Sequence, residues 1–209
     1  QRPNEGGRTT ALIRPWFRSD AITYELTPSP INVCSRVHGY GGAALSVAKK
    51  SNKILVSWID DTDGCLWIQY WDEVRVNCGN QKVLKLRAID SPICLSKKDN
   101  YFLADGLIDF SRNRWIGILE SNGNDALVQF SLDKKLQKPR IIYSPKDFIG
   151  YPALSPDGEK LVWVEWQRPS MPWDTSQLLL GTFDQQGVIN NTELLLGNHT
   201  KNSTKSFSI

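Results

Sequence analysis

Short apolar runs, each bounded by turn residues, follow one another along most of the chain. None of them shows the i, i+3, i+4, i+7 spacing of an amphipathic helix, so each run is predicted to be a β-strand. The first group comprises the runs at 44–47, 54–58, 66–70 and 83–86, with a polar turn at 60–64. The pattern therefore predicts an all-β chain whose first repeated unit contains four strands.

The same order of four runs recurs twice more along the chain. The second group is at 107–110, 115–119, 127–130 and 141–143, and the third is at 153–154, 161–164, 178–180 and 194–196. Equivalent positions recur at roughly 45 to 60 residues, close to the period of propeller blades built from four antiparallel strands. One blade cannot bury both of its faces alone, so neighbouring blades must stack. We therefore predict a partial β-propeller of about three to four four-stranded antiparallel blades.

The runs also set the predicted domain organisation. The expected bounds are 1–42 for an N-terminal lead-in, 43–90, 101–145 and 150–197 for three blade units, and 198–209 for the lead into a further blade. Three units cannot close a ring, and open blade edges invite pairing with other chains. We therefore expect a longer parent protein, and self-association of the isolated segment through its open blade edges.

One turn motif stands out among the connections between the runs. The tetrapeptide S-P-D-G at 155–158 places Pro156 where φ must be near −65° and Gly158 where a positive φ closes a hairpin. It separates the first and second strands of the third unit, as 111–113 does in the second unit. We predict a structural role for Pro156, Asp157 and Gly158.

Composition and charge narrow the classes of function. The 209 residues are 40% hydrophobic, and a net charge of +3 is too small to argue for a nucleic-acid or membrane-surface partner. No apolar stretch approaches the length of a membrane span. The four cysteines lack metal-ligand spacing and are typical of a reduced compartment. We expect a cytoplasmic protein with no metal and no cofactor.

The sequence does not contain a recognisable catalytic motif. No G-x-S-x-G nucleophile elbow occurs, and the His-Gly stretch at 38–42 precedes strands rather than a hydrolase sheet, so an oxyanion role is disfavoured. Gly41 and Gly42 are better explained by a bend at a blade start. The acidic run at 60–63 lacks the EF-hand ligand pattern and is predicted to be a hairpin turn. We predict no catalytic residue here.

Several stretches resemble the N-terminal propeller of the prolyl oligopeptidase family of serine peptidases, which includes acylaminoacyl peptidases and dipeptidyl aminopeptidases. The run at 32–42 is similar to the family's N-V-x-x-R-V-H-E-Y-G-G run, with Gly39 in place of the acidic residue. The stretch at 151–174 is similar to the family's S-P-D-G-x-x-L-A-W-x-x-W and H-P-N-M-P-W-D segments, with Arg168 where His is frequent. Further matches lie at 5–8 and 109–117.

The resemblance implies both a fold and a role. In that family the propeller is followed by a C-terminal α/β-hydrolase domain that holds the Ser, Asp and His of the catalytic triad, and the propeller restricts which peptides reach them. It implies that this chain gates peptide access to an active site outside it, with the hydrolase domain and peptide substrates as partners. Arg36, His38 and Asp174 are the substrate-path candidates, although structural pairing or packing is the favoured alternative for each.

The sequence is also compatible with two other functions. One is a free-standing propeller-like protein-binding module, because S-P-D-G turns also occur in propellers that serve only as binding platforms. The other is a propeller enzyme with its site in the central channel, although no pair of acids is placed convincingly for it. Downstream sequence with a nucleophile elbow would favour the peptidase, and further blades alone would favour the module.

Overall fold

The computed structural model of the protein describes residues 1–14, 23–39, 41–78 and 81–197. Within these ranges the backbone forms β-strands and one short 3-10 helix at Pro3–Glu5, and no helix there is long and apolar enough to cross a membrane. The predicted lead into a further blade, at 198–209, lies outside the described residues. The all-β class that the apolar runs predict is confirmed.

The strands formed by the described residues are, in chain order, β1 (Leu12–Ile13), β2 (Tyr24–Glu25), β3 (Leu45–Lys50), β4 (Lys53–Asp60), β5 (Cys65–Cys78), β6 (Gln81–Ala88), β7 (Ile93–Cys94), β8 (Phe102–Asp109), β9 (Arg114–Ser121), β10 (Asn124–Ser131), β11 (Arg140–Tyr143), β12 (Phe148–Leu154), β13 (Lys160–Trp166), β14 (Gln177–Phe183) and β15 (Ile189–Gly197).

Most of these strands belong to three antiparallel sheets in which consecutive strands pair. The first sheet has the order β3-β4-β5-β6, the second β8-β9-β10-β11 and the third β12-β13-β14-β15. The short strand β7 adds to the first sheet by pairing with β5, where Cys94 lies opposite Trp67. Each sheet is thus the four-stranded meander of a propeller blade, and the predicted partial β-propeller is confirmed.

The three sheets stack with their first strands side by side, so that β3 lies next to β8 and β8 lies next to β12. Between the first and second sheets lies a buried apolar cluster that includes Leu55, Ile68 and Phe130. Between the second and third sheets lies another, which includes Ile118 and Leu161. Each blade therefore buries an apolar face against its neighbour, as the repeat requires.

The second strand of each sheet carries one fully buried tryptophan: Trp58, Trp115 and Trp163. Each belongs to the cluster on the N-terminal side of its own sheet. Trp115 lies so close to two glycines that a Cβ at Gly106 would stand 2.3 Å from its ring and a Cβ at Gly117 only 2.1 Å from it. Glycine at these two positions is what allows the ring to lie flat against the sheet.

The N-terminal lead-in covers the outer face of the first sheet. Strands β1 and β2 form a small antiparallel sheet, and Ala11, Leu26 and Val33 pack with Trp58 in a third buried cluster. The sequence pattern does not predict this small sheet, because its strands are only two residues long. The lead-in thus buries the face of the first sheet that no other sheet covers in the described part of the chain.

A buried arginine holds the lead-in together. The guanidinium of Arg8 donates to Glu5 at 2.6 Å, to Glu25 at 2.9 Å, and to the backbone carbonyls of Thr27 at 3.0 Å and Ile31 at 2.8 Å. Hydrogen bonds between such charged groups are charge-assisted, so they are stronger than bonds between neutral groups. Glu5 and Arg8, two residues of the family-like motif at 5–8, therefore pair within the fold.

The S-P-D-G sequence at 155–158 forms a tight turn between β12 and β13. Gly158 has a φ of +76°, and its N–H donates to the carbonyl of Ser155 at 2.8 Å. The Asp157 carboxylate accepts from the Ser155 hydroxyl and from the N–H of Glu159, which lowers the pKa of that carboxyl. A Cβ at Gly158 would lie 2.6 Å from the hydroxyl of Ser111, so the turn fits against the equivalent turn of the second sheet.

The tryptophan packing leads to a stability prediction. Trp115→Ala should destabilise the full natural protein by about 3–5 kcal/mol, because it removes a large buried side chain from the layer between two sheets. Chemical denaturation followed by circular dichroism measures the change. Trp173→Ala is the matched control, since Trp173 is 56% exposed and should cost little. Equal stability of the two variants would contradict the proposed packing.

Candidate binding site

A cavity of about 640 Å³ lies at one end of the second and third sheets. It is enclosed by the stretch before β3, the β9–β10 hairpin, the first half of β12 and the loop between β13 and β14. Its large apolar and aromatic lining residues include Phe148, Tyr151, Trp166, Met171, Pro172 and Trp173. Its charged or titratable lining residues are His38, Asp105, Glu120 and Arg168. The cavity thus combines aromatic walls with carboxylates.

Two glycines bring His38 to this cavity. Gly41 has a φ of +108°, and a Cβ there would lie 2.9 Å from the carbonyl oxygen of Ser35. Gly42 has a φ of +55°, and a Cβ there would lie 2.7 Å from the Cβ of Ala104. Residues with a side chain rarely adopt such positive φ angles, and a Cβ would clash with its neighbours here. Only glycine therefore lets the segment turn tightly against β8. The structural role predicted for Gly41 and Gly42 is consistent with this geometry.

The ring of His38 is fixed on three sides. Its Nε2 lies 2.7 Å from Oδ2 of Asp125, a side chain that is fully buried. The ring makes edge contacts with Phe148 and Trp166, each with a centroid separation of 5.5 Å. The backbone N–H of His38 donates to the carboxylate of Glu120. His38 therefore links its own segment to β9, β10, β12 and β13.

The electrostatic environment of His38 favours the protonated ring. Burial lowers the pKa of His38, but the hydrogen bond to Asp125 and the charges of Asp125, Glu120 and Asp105 raise it, and the net result is a pKa above the ordinary 6.5. The His38–Asp125 pair therefore stabilises the folded site fully below about pH 6.5, and this contribution is lost as the pH rises through the pKa of the folded protein.

Asp105, in β8, joins this strand to β12 and to the stretch before β3. It lies in a β-bulge of β8, with a φ of +53°. Its carboxylate accepts from the N–H of Ala43 at 2.6 Å and from the N–H of Tyr151 at 3.2 Å. Tyr151 lies in a corresponding bulge of β12, also with a positive φ of 55°. At these bulges the regular hydrogen bonding between strands is interrupted, and the bulged residues turn toward the cavity.

The aromatic wall has a cation over one of its rings. Phe148 and Trp166 stack with a centroid separation of 5.7 Å and an interplanar angle of 20°. The guanidinium of Arg168 lies 4.9 Å from the Phe148 ring centre and donates to the carbonyl of Gly123 at 2.9 Å. Arg168 is also 3.9 Å from Asp147, a distance at which an exposed pair contributes little. The stacked pair therefore already has one cationic group over the Phe148 ring.

The loop between β13 and β14 closes one side of the cavity. The Asp174 carboxylate accepts from the N–H of Met171 at 3.0 Å, which shapes the turn that brings Met171, Pro172 and Trp173 to the rim. Asp174 itself is not among the lining residues. Its place in the structure is the support of this loop.

Arg36 lies away from this cavity. It is exposed, pairs with Asp61 at 2.7 Å and borders a smaller cavity of about 200 Å³. The acidic turn next to it forms the predicted hairpin, because the Asp60 and Asp63 carboxylates accept from backbone N–H groups of Thr62 and Cys65. In the described part of the chain, no group of three or more histidine, cysteine or acidic side chains could hold a metal.

Of the three substrate-path candidates from the sequence, the structure thus brings only His38 to the large cavity. Sequence reasoning missed the residues that complete it: Asp105, Glu120, Asp125, Phe148 and Trp166. These residues come from five different strands, and nothing in their spacing marks them as neighbours. The W-x-x-W stretch at 163–166 points to Trp166, but only the structure shows that this ring faces His38.

Three solved structures have a fold similar to that of this chain. Puromycin hydrolase, a mutant of it complexed with PGG, and a Mycobacterium tuberculosis puromycin-hydrolyzing peptidase each match with a TM-score of 0.73. The identities are 24%, 24% and 22%, over 95% of this chain and 30% of each of those chains. This chain shares the fold of one region of these peptidases. The resemblance drawn from the sequence motifs is confirmed at the level of the fold.

The similarity to these peptidases covers only part of their length. The chain spans about 30% of the length of the peptidases that it matches. No model of a known protein family and no curated protein gives a significant match. The likeness therefore concerns architecture, and the role of the cavity has to be argued from its own residues.

The environment of His38 leads to a prediction about its titration. Asp125→Asn removes the charge that faces Nε2 while keeping the size of the side chain, so the pKa of His38 should fall. NMR titration of the histidine ring protons measures this, with His38→Gln identifying the signal. Asp99→Asn, at an exposed position, is the control. A pKa that Asp125→Asn leaves unchanged would contradict the proposed pairing.

Proposed function

We propose that this chain is the non-catalytic propeller region of a serine peptidase of the prolyl oligopeptidase type. In this proposal the propeller gates the access of peptides to an active site in a separate C-terminal α/β-hydrolase domain. The observation that carries the proposal is the aromatic and acidic cavity around His38, in a fold shared with puromycin hydrolase. We further propose a cytoplasmic location, because Cys34, Cys65 and Cys94 are free thiols.

The size and chemistry of the cavity suit a short peptide. Its volume of about 640 Å³ lies within the range of small-ligand sites, which is about 300–1,000 Å³. Phe148, Trp166 and Trp173 offer apolar surface to a side chain, and Glu120 and Asp105 offer negative charge to an amino group. A folded protein could not enter a space of this size. These features support selection of short peptides.

The same residues do not form a catalytic group. The ring of His38 pairs with Asp125, and no serine, threonine or cysteine of the described residues is hydrogen-bonded to it. A general base needs a nucleophile within hydrogen-bond reach. The proposal therefore assigns binding and gating to this cavity and assigns bond cleavage to the hydrolase domain.

The exposed Trp173 at the rim gives a direct test of this role. Trp173→Ala in the full natural protein should lower kcat/KM for short peptides by about tenfold, because it removes apolar surface from the substrate path. Labelling by a fluorophosphonate serine probe should persist, since the proposed active site is elsewhere. Hydrolysis assays with unblocked tripeptides measure the effect.

Phe102→Ala is the matched control for this experiment. Phe102 is also an exposed aromatic residue, at 46% exposure, but it does not line the large cavity. Its replacement should leave kcat/KM within about twofold of the natural protein. An equal loss of activity in both variants would contradict a specific role of the cavity, and absence of probe labelling in the natural protein would contradict the peptidase proposal.

A protein-binding module is the second candidate, and one observation favours it. The outermost strand of the third sheet, β15, exposes Leu194, Leu195 and Leu196, each at more than 40%. Exposed apolar strands of this kind are typical of surfaces that pair with other chains. Under this candidate, the natural protein would bind peptides in the cavity without hydrolysing them or reacting with the serine probe.

A further inference from the structure

One side chain crosses the opening of the cavity around His38. Arg168 follows the end of β13, and its side chain is 60% exposed although it lines the cavity, so it lies at the opening. Its Nη2 donates to the carbonyl oxygen of Gly123 at 2.9 Å, and Gly123 also lines the cavity. Gly123 belongs to the β9–β10 turn of the second sheet, whereas Arg168 belongs to the third sheet. Arg168 therefore bridges two walls of the cavity.

The acceptor of this bridge is held in a tight hairpin turn. Ser121 and Asn124 are paired in register, so Asn122 and Gly123 form a two-residue turn between β9 and β10. Their φ angles are +52° and +74°, and a type I′ turn requires positive values at both of these positions. Such turns match the twist of the strands that they join. The carbonyl of Gly123 is therefore a fixed point to which an opposing loop can attach.

The donor of the bridge belongs to a loop that forms its own turns. Between β13 and β14, the backbone N–H of Ser170 donates to the carbonyl of Gln167, and that of Asp174 donates to the carbonyl of Met171. The same loop carries the exposed Trp173 to the rim of the cavity. These hydrogen bonds are local, so a shift of the loop as a unit need not break them.

The other contacts of Arg168 are individually weak. Its guanidinium lies 4.9 Å from the Phe148 ring centre, and cation–π contacts at exposed positions contribute only modestly. Its Nη1 is 3.9 Å from Asp147, and an exposed pair at that distance adds little. Phe148 is also stacked on Trp166, so its position does not depend on Arg168 alone. The bridge can therefore open while the aromatic wall stays in place.

We propose that Arg168 is a specificity-determining residue that limits the length of the peptides that the cavity admits. The inference rests on the proposed function, in which short peptides bind in this cavity. With the bridge closed, the chain of a long peptide has to pass around the Arg168 side chain. Without it, the space between the β9–β10 turn and the β13–β14 loop is open to the rest of the peptide. Arg168 thus acts by exclusion, and its effect is on the choice between substrates.

Peptide length is the variable that tests this role. The full natural protein and its Arg168→Ala variant are assayed with an unblocked tripeptide and with an unblocked decapeptide that begins with the same three residues. Removing the bridge should raise the ratio of kcat/KM for the decapeptide to kcat/KM for the tripeptide by about tenfold, because only the longer peptide has to pass the bridge. A ratio that Arg168→Ala leaves unchanged, in a protein that cleaves peptides, would overturn this inference and leave the proposed function standing.

Arg87→Ala is the matched control for this experiment. Arg87 is also exposed and lies 3.4 Å from a single carboxylate, that of Asp72, but it belongs to the first sheet and does not line the cavity. The ratio for this variant should equal that of the natural protein. A rise of the same size in both variants would show a nonspecific charge effect and would also overturn the inference.

A binding measurement separates this inference from the proposed function. If the natural protein neither cleaves peptides nor reacts with the serine probe, the peptidase proposal fails. The same two peptides are then not consumed, and calorimetric titration measures their affinities directly. Arg168→Ala should raise the affinity for the decapeptide relative to the tripeptide by about tenfold. An unchanged ratio of affinities, or no binding of either peptide, would overturn the role of Arg168.

Discussion

The structure depends on one constraint: a four-stranded sheet has two faces, and each apolar face must be buried by a neighbour. Trp58, Trp115 and Trp163 meet this constraint in the same way, because each fills the layer on the N-terminal side of its own sheet. Gly106 and Gly117 keep the backbone close enough for Trp115 to fit. The first layer has no preceding sheet in the described residues, and there the lead-in supplies the cover.

The cavity around His38 follows from this way of packing. Stacked sheets are twisted, so they pack tightly in the middle and diverge at their ends. The apolar cluster between the second and third sheets occupies the middle of that layer, and polar groups occupy its two ends. His38 and Asp125 lie at one end, and Asp109 and Arg114 lie at the other. The interior specifies the fold, while the end around His38 holds groups that line a cavity.

The sequence predicts the sheets much better than the site. Runs such as 115–119 and 161–164 lie in β9 and β13 because strand periodicity is local and each run is bounded by its own turns. The site depends on contacts over long sequence distances, such as His38 with Asp125, and on bulges with positive φ at Asp105 and Tyr151. Neither the long-range contacts nor the bulges produce a periodic pattern in the sequence. The glycines at 41–42 mark the bend, and His38 stands out in the sequence because it lies in the family-like run at 32–42.

The proposed role of the propeller requires that a peptide binds in the cavity around His38. A crystal structure of the full natural protein with a bound, uncleaved tripeptide tests this most directly. We expect the peptide to contact Phe148, Trp166 and the Glu120 carboxylate, on the path to the hydrolase active site. A peptide bound at the active site while this cavity remains walled off from it would contradict the account.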